Sequence, residues 1–162
     1  MASDDVVELI LEDHRSMEDL FRRMRSVDED RAKALREFSA LLVAHAEAEE
    51  SEVYPALKRY KDIDNDEVEH GSEEHDEGHE ALLHLLEVED TGGEEWDEKL
   101  EELSEAVAHH LDEEERTLLN DARENVADDR RTELGRAFLK ARADQLASDC
   151  GDIENVRRLV RG

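Results

Sequence analysis

Two segments of this chain, His45-Ala-Glu-Ala-Glu49 and His110-Leu-Asp-Glu-Glu114, lie 65 residues apart and continue apolar ladders that match rung for rung. The rungs are Leu35, Phe38, Leu42, His45, Glu49 and Val53 in the first copy and Leu100, Leu103, Val107, His110, Glu114 and Leu118 in the second, spaced 3, 4, 3, 4 and 4 in both. This is the buried stripe of an amphipathic helix, so each His and Glu occupies a position that the pattern assigns to the core. An unpaired carboxylate there would cost several kcal/mol or give up its charge. Residues four apart lie about 40° apart around a helix and roughly 6 Å along it. Each pair therefore points one imidazole and one carboxylate into the same interior volume, a geometry that suits a metal ion.

The intervening segments add further imidazoles. Val7, His14 and Phe21 are answered 61 residues later by Val68, His75 and Leu82, with His79 one turn beyond His75. His14 lies on a stripe through Val7, Ile10, Leu11, Met17, Phe21 and Met24. Four helices thus project His14, His45 with Glu49, His75 with His79, and His110 with Glu114. Five imidazoles and two carboxylates are too many for one ion and suitable for two. With no thiolate among them, iron or manganese fits better than structural zinc or copper(I).

At these residues the chain resembles the hemerythrin-like (HHE) cation-binding family, whose ligand pattern is H, HxxxE, H or HxxxH, then HxxxE or HxxxxD. The resemblance spans about Asp4 to Asn125. It implies an all-α, up-down-up-down four-helix bundle around two iron ions, Fe2+ or Fe3+ with an oxo or hydroxo bridge, iron being preferred over manganese. It implies His14, His45, Glu49, His75, His79, His110 and Glu114 as metal ligands, with the two glutamates bridging. On that basis two six-coordinate ions keep one open position, which admits a small molecule such as O2, H2O2 or NO and leaves little room for an organic substrate. Without His79 two positions open.

Other residues near the pairs have simpler readings. Glu50 and Glu115 are expected to be solvated, although Glu115 matches the longer spacing that hemerythrins use with Asp. His70, His84 and His109 lie off the ligand face and read as surface residues or outer hydrogen-bond partners. Tyr54 falls half a turn from His45 on an ideal helix, but Pro55 disturbs that geometry. Tyr54 is therefore either packing at the bundle end, a hydrogen-bond partner of the ligands, or itself a phenolate ligand. The counterparts of Tyr54 and Pro55 on the fourth helix are Leu119 and Asn120.

Punctuation sets the boundaries. Helices are expected over about Asp4–Val27, Asp30–Tyr60 with Pro55 kinking or interrupting it, Asp66–Asp90 and Glu94–Asn125, with Thr91-Gly92-Gly93 a break. These form a bundle domain over residues 1–125. Residues 126–162 form a helical extension, Asp128–Ser148 and Ile153–Leu159, that packs on the bundle as a lid, extends a helix, or docks a second subunit.

Charge excludes some functions. The chain carries 48 acidic and 21 basic residues, and from Asp62 to Glu115 there are 24 acids against the single base Lys99. Nucleic acid and anionic membranes are disfavoured as partners, and no apolar run approaches the ~20 residues of a membrane span. The excess reads as a solvated, salt-adapted surface or as an electrostatic funnel for iron cations. The amino terminus has no basic region and no apolar signal core, and the single Cys150 cannot form an internal disulfide. A reduced cytoplasmic protein is expected, as a monomer or homodimer. Three functions compete: a module that carries, stores or senses oxygen; an enzyme of peroxide or nitric-oxide detoxification or of iron-sulfur repair; and a metal-free structural bundle.

Overall fold

The computed structural model describes residues 3–162, and among these every regular element is helical. The elements are α1 (Val6–Arg25), α2 (Arg31–Ala48), a π-helical turn (Glu49–Val53), α3 (Tyr54–Leu57), α4 (Asn65–Leu86), α5 (Glu94–Arg116), α6 (Leu118–Asn125), α7 (Asp128–Ala147) and α8 (Ile153–Arg161). Aspartates start α1, α2 and α4: the carboxylates of Asp5, Asp30 and Asp64 accept from the backbone N–H groups of Val7, Lys33 and Asp66. Each supplies an acceptor and a negative charge where a helix has free donors and a positive end.

Two apolar layers show how the helices run. One contains Met17, Phe21, Met24, Leu35, Phe38, Leu42, Leu82, Leu85, Trp96 and Leu103. The other contains Val6, Ile10, Tyr54, Leu57, Val68, Leu118 and Leu119. Along α1 the chain passes from the second layer to the first, along α2 and α3 it returns, α4 repeats the outward path and α5 with α6 the return. Direction therefore alternates, and the result is an up-down-up-down four-helix bundle. Between the two layers every helix crosses one polar level, carrying His14, His45 with Glu49, His75 with His79, and His110 with Glu114.

Three boundaries differ from expectation. In the second helix the disturbance expected at Pro55 is a π turn just before it, in which the Tyr54 N–H donates to the Glu49 carbonyl. Pro55 has no N–H to hold the turn ahead in α geometry. The third helix stops at Leu86 rather than Asp90, where Glu87, Glu89 and Asp90 would crowd its negative end. The fourth is broken at Thr117, whose hydroxyl donates to the Glu113 carbonyl at 2.8 Å, a back-bond that bends helices.

α7 packs against α2 and α1, and α8 against α4. α7 contributes Leu134 and Phe138 to one apolar layer, while Cys150 and Val156 enter the other. The approach is close: a Cβ on Gly135 would clash with the Asp4 carbonyl oxygen, and one on Gly151 would fall 2.5 Å from the Ala40 nitrogen. Among the described residues no helix is long and apolar enough to cross a membrane.

Candidate metal centre

At the polar level His14, His45, Glu49, His75, His79, His110 and Glu114 are all buried, each at most 7% exposed. Six of them converge in two overlapping groups. Glu49, His75, His110 and Glu114 form one, and His14, His45 and Glu114 the other. Glu114 belongs to both: its Oε1 lies 3.2 Å from His14 Nε2 and its Oε2 3.6 Å from His110 Nε2. Glu49 also spans them, with Oε1 3.1 Å from His45 Nε2 and 3.0 Å from His75 Nε2.

The outer nitrogens of these imidazoles face carboxylates, which the sequence reading missed. His45 Nδ1 meets Asp13 at 2.7 Å, His110 Nδ1 meets Glu74 at 3.0 Å, and His14 Nδ1 meets Glu115 at 2.9 Å. His75 Nδ1 lies 3.8 Å from Glu50. A carboxylate on Nδ1 holds the proton there and leaves Nε2 with a free lone pair aimed inward. Glu50 and Glu115 are therefore not merely solvated: Glu50 accepts from the Ser72 hydroxyl at 2.7 Å, and Arg15 pairs with Glu115. The arrangement repeats. Asp13-His14 answers Glu74-His75, and Glu49-Glu50 answers Glu114-Glu115. The available signal was an acid next to each ligand position, on the preceding side in α1 and α4 and on the following side in α2 and α5.

Tyr54 is inside. The extra residue of the π turn rotates it inward from its ideal-helix position, so that its hydroxyl donates to Glu114 Oε2 at 2.5 Å and its ring stacks on His75 at 5.3 Å between centroids. Gly71 on α4 makes the room, since a Cβ there would stand 2.8 Å from the Tyr54 hydroxyl. α7 reaches the same level from the other side. Phe138 meets the His45 ring edge-on at 5.4 Å, and Arg142 pairs with Asp13.

His79 breaks the twofold pattern. Its Nε2 is buried without a partner, it joins neither convergent group, and its counterpart on α1 is the exposed Glu18. It lines a cavity shared with His14, His45, His75 and His110 and closed by Met17, Leu42, Val107 and Leu111. The cavity offers about 10 Å³ to the centre of a water-sized molecule, enough for about one such molecule.

Protonation follows the charges. Burial opposes the charged form of His45, but Glu49 and Asp13 outweigh it and hold the imidazole up at about 10. Burial likewise opposes His75, and Glu49 and Glu50 raise it to about 10. His79 has burial and the neighbouring His75 against it and falls to about 4.

The donor set fits metal. On the inward side, six of the seven residues have a buried polar atom with no hydrogen-bond partner, namely Nε2 of His14, His45, His79 and His110, Oε2 of Glu49 and Oε1 of Glu114, while Nε2 of His75 lies 3.0 Å from Glu49 Oε1. So many orphaned donors and acceptors in one layer would be costly unless something else satisfies them. Imidazole and carboxylate are ligands for iron or manganese. The lone thiol is elsewhere, Cys150 Sγ lying 3.4 Å from the Ala40 carbonyl. The family model described as hemerythrin HHE cation binding domain matches residues 5–122. No curated protein and no solved structure gives a significant match.

Proposed function

Because the chain belongs to the hemerythrin HHE cation-binding family, we propose that it holds two iron ions between its four helices and uses them to bind or process O2, H2O2 or NO. The observation that carries this reading is the pair of convergent groups sharing Glu114, set beside a cavity with room for about one small molecule. In this reading His14, His45, Glu49, His75, His110 and Glu114 would hold the ions, Glu49 and Glu114 being the residues within reach of both groups. Bound there, a di-iron centre supplies one- and two-electron redox chemistry to a small ligand at an open position. The protein supplies the rest. Asp13, Glu74 and Glu115 fix the imidazole tautomers, Tyr54 donates to Glu114 and limits its swing, and Met17, Leu42, Val107 and Leu111 keep bulk water out.

His79 separates the two versions. As a fifth imidazole it leaves one open position and favours reversible binding. Its place outside both convergent groups favours the enzymatic alternative, peroxide or nitric-oxide detoxification or iron-sulfur repair, with a neutral imidazole facing the bound molecule.

Elemental analysis is the test. The purified chain is expected to carry close to two irons, Glu49→Ala or Glu114→Ala to lose at least one, and His84→Ala, on a surface residue paired with Glu102, to change nothing. One zinc and no iron would end the di-iron reading. An absorption change on exposing the reduced chain to O2 that reverses on its removal selects binding; immediate oxidation with fast H2O2 turnover selects the enzyme.

A further inference from the structure

Outside the buried layer, α4 and α5 bring together a second set of imidazoles and carboxylates. His70, Glu74, His109 and Glu113 converge at the bundle surface, with ligand atoms all within 4.8 Å of one another. The distances are regular. His109 Nε2 lies 2.9 Å from Glu113 Oε2 and 3.0 Å from Glu74 Oε2, and His70 Nε2 lies 3.3 Å and 3.5 Å from the same two oxygens.

Hydrogen bonding leaves one atom of the cluster unsatisfied. Glu113 Oε2 is buried and has no hydrogen-bond partner, although two imidazole nitrogens stand within 3.3 Å of it. Glu74 is 6% exposed and turns its second oxygen to the cluster while the first accepts from His110. Two carboxylates brought face to face in a part-buried position repel unless a cation lies between them. Four ligands at 2.0–2.1 Å in tetrahedral array stand roughly 3.3 Å from one another. The observed nitrogen-to-oxygen separations bracket that value.

We propose that His70, Glu74, His109 and Glu113 form a second, outer cation site that binds one divalent transition-metal ion. Two imidazoles with two carboxylates select Zn2+, Fe2+ or Co2+ over Ca2+ and Mg2+, which require more oxygen ligands. The imidazoles are half exposed, so the ion enters directly from solvent. A small cavity lined by His70, Glu74 and Glu113 also touches His110 and Glu114, and the Glu74 carboxylate contacts both regions. The outer site is therefore one side chain from the buried layer.

Titration of the full chain, as purified, with Co2+ at physiological salt tests the proposal. The unaltered chain is expected to take up one more Co2+ than the His70→Ala/His109→Ala variant, with the intense visible bands of four-coordinate Co2+; both residues are exposed, so the variant keeps its fold. His45→Ala, which removes a residue of the buried layer, is expected to keep the outer Co2+ signal, so failure of the di-iron reading and failure of the outer site give different results. Equal Co2+ uptake by the unaltered chain and the double variant, or only the weak spectrum of six-coordinate Co2+ held by scattered surface acids, would overturn the outer site.

Discussion

Asp13 is the residue whose neighbours say most about how the site is held. Its carboxylate takes the Nδ1 side of His45 and is itself paired with Arg142 from α7, so three side chains in series set one imidazole. Burial raises the Asp13 pKa, but His45 and Arg142 together outweigh it and keep the value below the usual one. Removing Arg142 leaves a buried carboxylate with one partner fewer and frees the ring to turn. Outer partners of metal-binding imidazoles are worth about 10- to 100-fold in metal affinity. Arg142→Ala is accordingly expected to weaken metal retention by about tenfold in chelator competition, with α-helical content unchanged; retention equal to the unaltered chain would show that the series does not reach the metal.

Helix by helix, the periodic parts were legible in the sequence and the departures from periodicity were not. The 3-4 spacing of Leu35 through Val53 and of Leu100 through Leu118 fixed which face is buried, and with it the placement of His45, Glu49, His110 and Glu114. The π turn over Glu49–Val53 was not legible beyond the warning given by Pro55, because one extra residue in a turn depends on what the turn packs against. The sequence leaves the position of Tyr54 open for the same reason. The outer carboxylates were missed because charged neighbours of a ligand look like solvated surface until the facing helix is placed. Gly71 shows how tightly the π turn is matched by α4. Gly71→Ala puts a methyl against the Tyr54 hydroxyl, so Tyr54 must move off Glu114 or α4 must shift. Overpacking of this kind costs about 1–3 kcal/mol. The variant is expected to melt lower, and Gly71→Ala with Tyr54→Phe to recover part of the loss; full stability of Gly71→Ala alone would mean that the contact is slack.

Across the whole molecule, net charge −27 is set against a buried layer that, without metal, must be neutralised by protons. His45 and His75 are held near 10, above the ordinary 6.5. Such groups contribute stability that is fully present below 6.5 and lost as pH rises through about 10. Glu49, held well below its ordinary 4.5 chiefly by His45 against the effect of burial, contributes above 4.5 and loses that contribution as pH falls. The metal-stripped chain is therefore expected to melt progressively lower from pH 6.5 to 10, and lower than the loaded chain throughout, because ions held by four helices favour only the folded state. Thermal melts across that range check both, and a stripped chain with flat stability, or one equal to the loaded chain, would contradict them. The Asp13–Arg142 pair has one more consequence at this scale. All residues of the buried layer lie within the matched segment 5–122, whereas Arg142 and Phe138 lie beyond it. Free energies of linked processes are reciprocal, so whatever α7 adds to the grip on an ion, the ion returns as resistance of α7 to fraying. α7 is thus expected to be a gauge of occupancy, tighter when the buried layer holds metal and looser when it does not, although it contributes no ligand of its own.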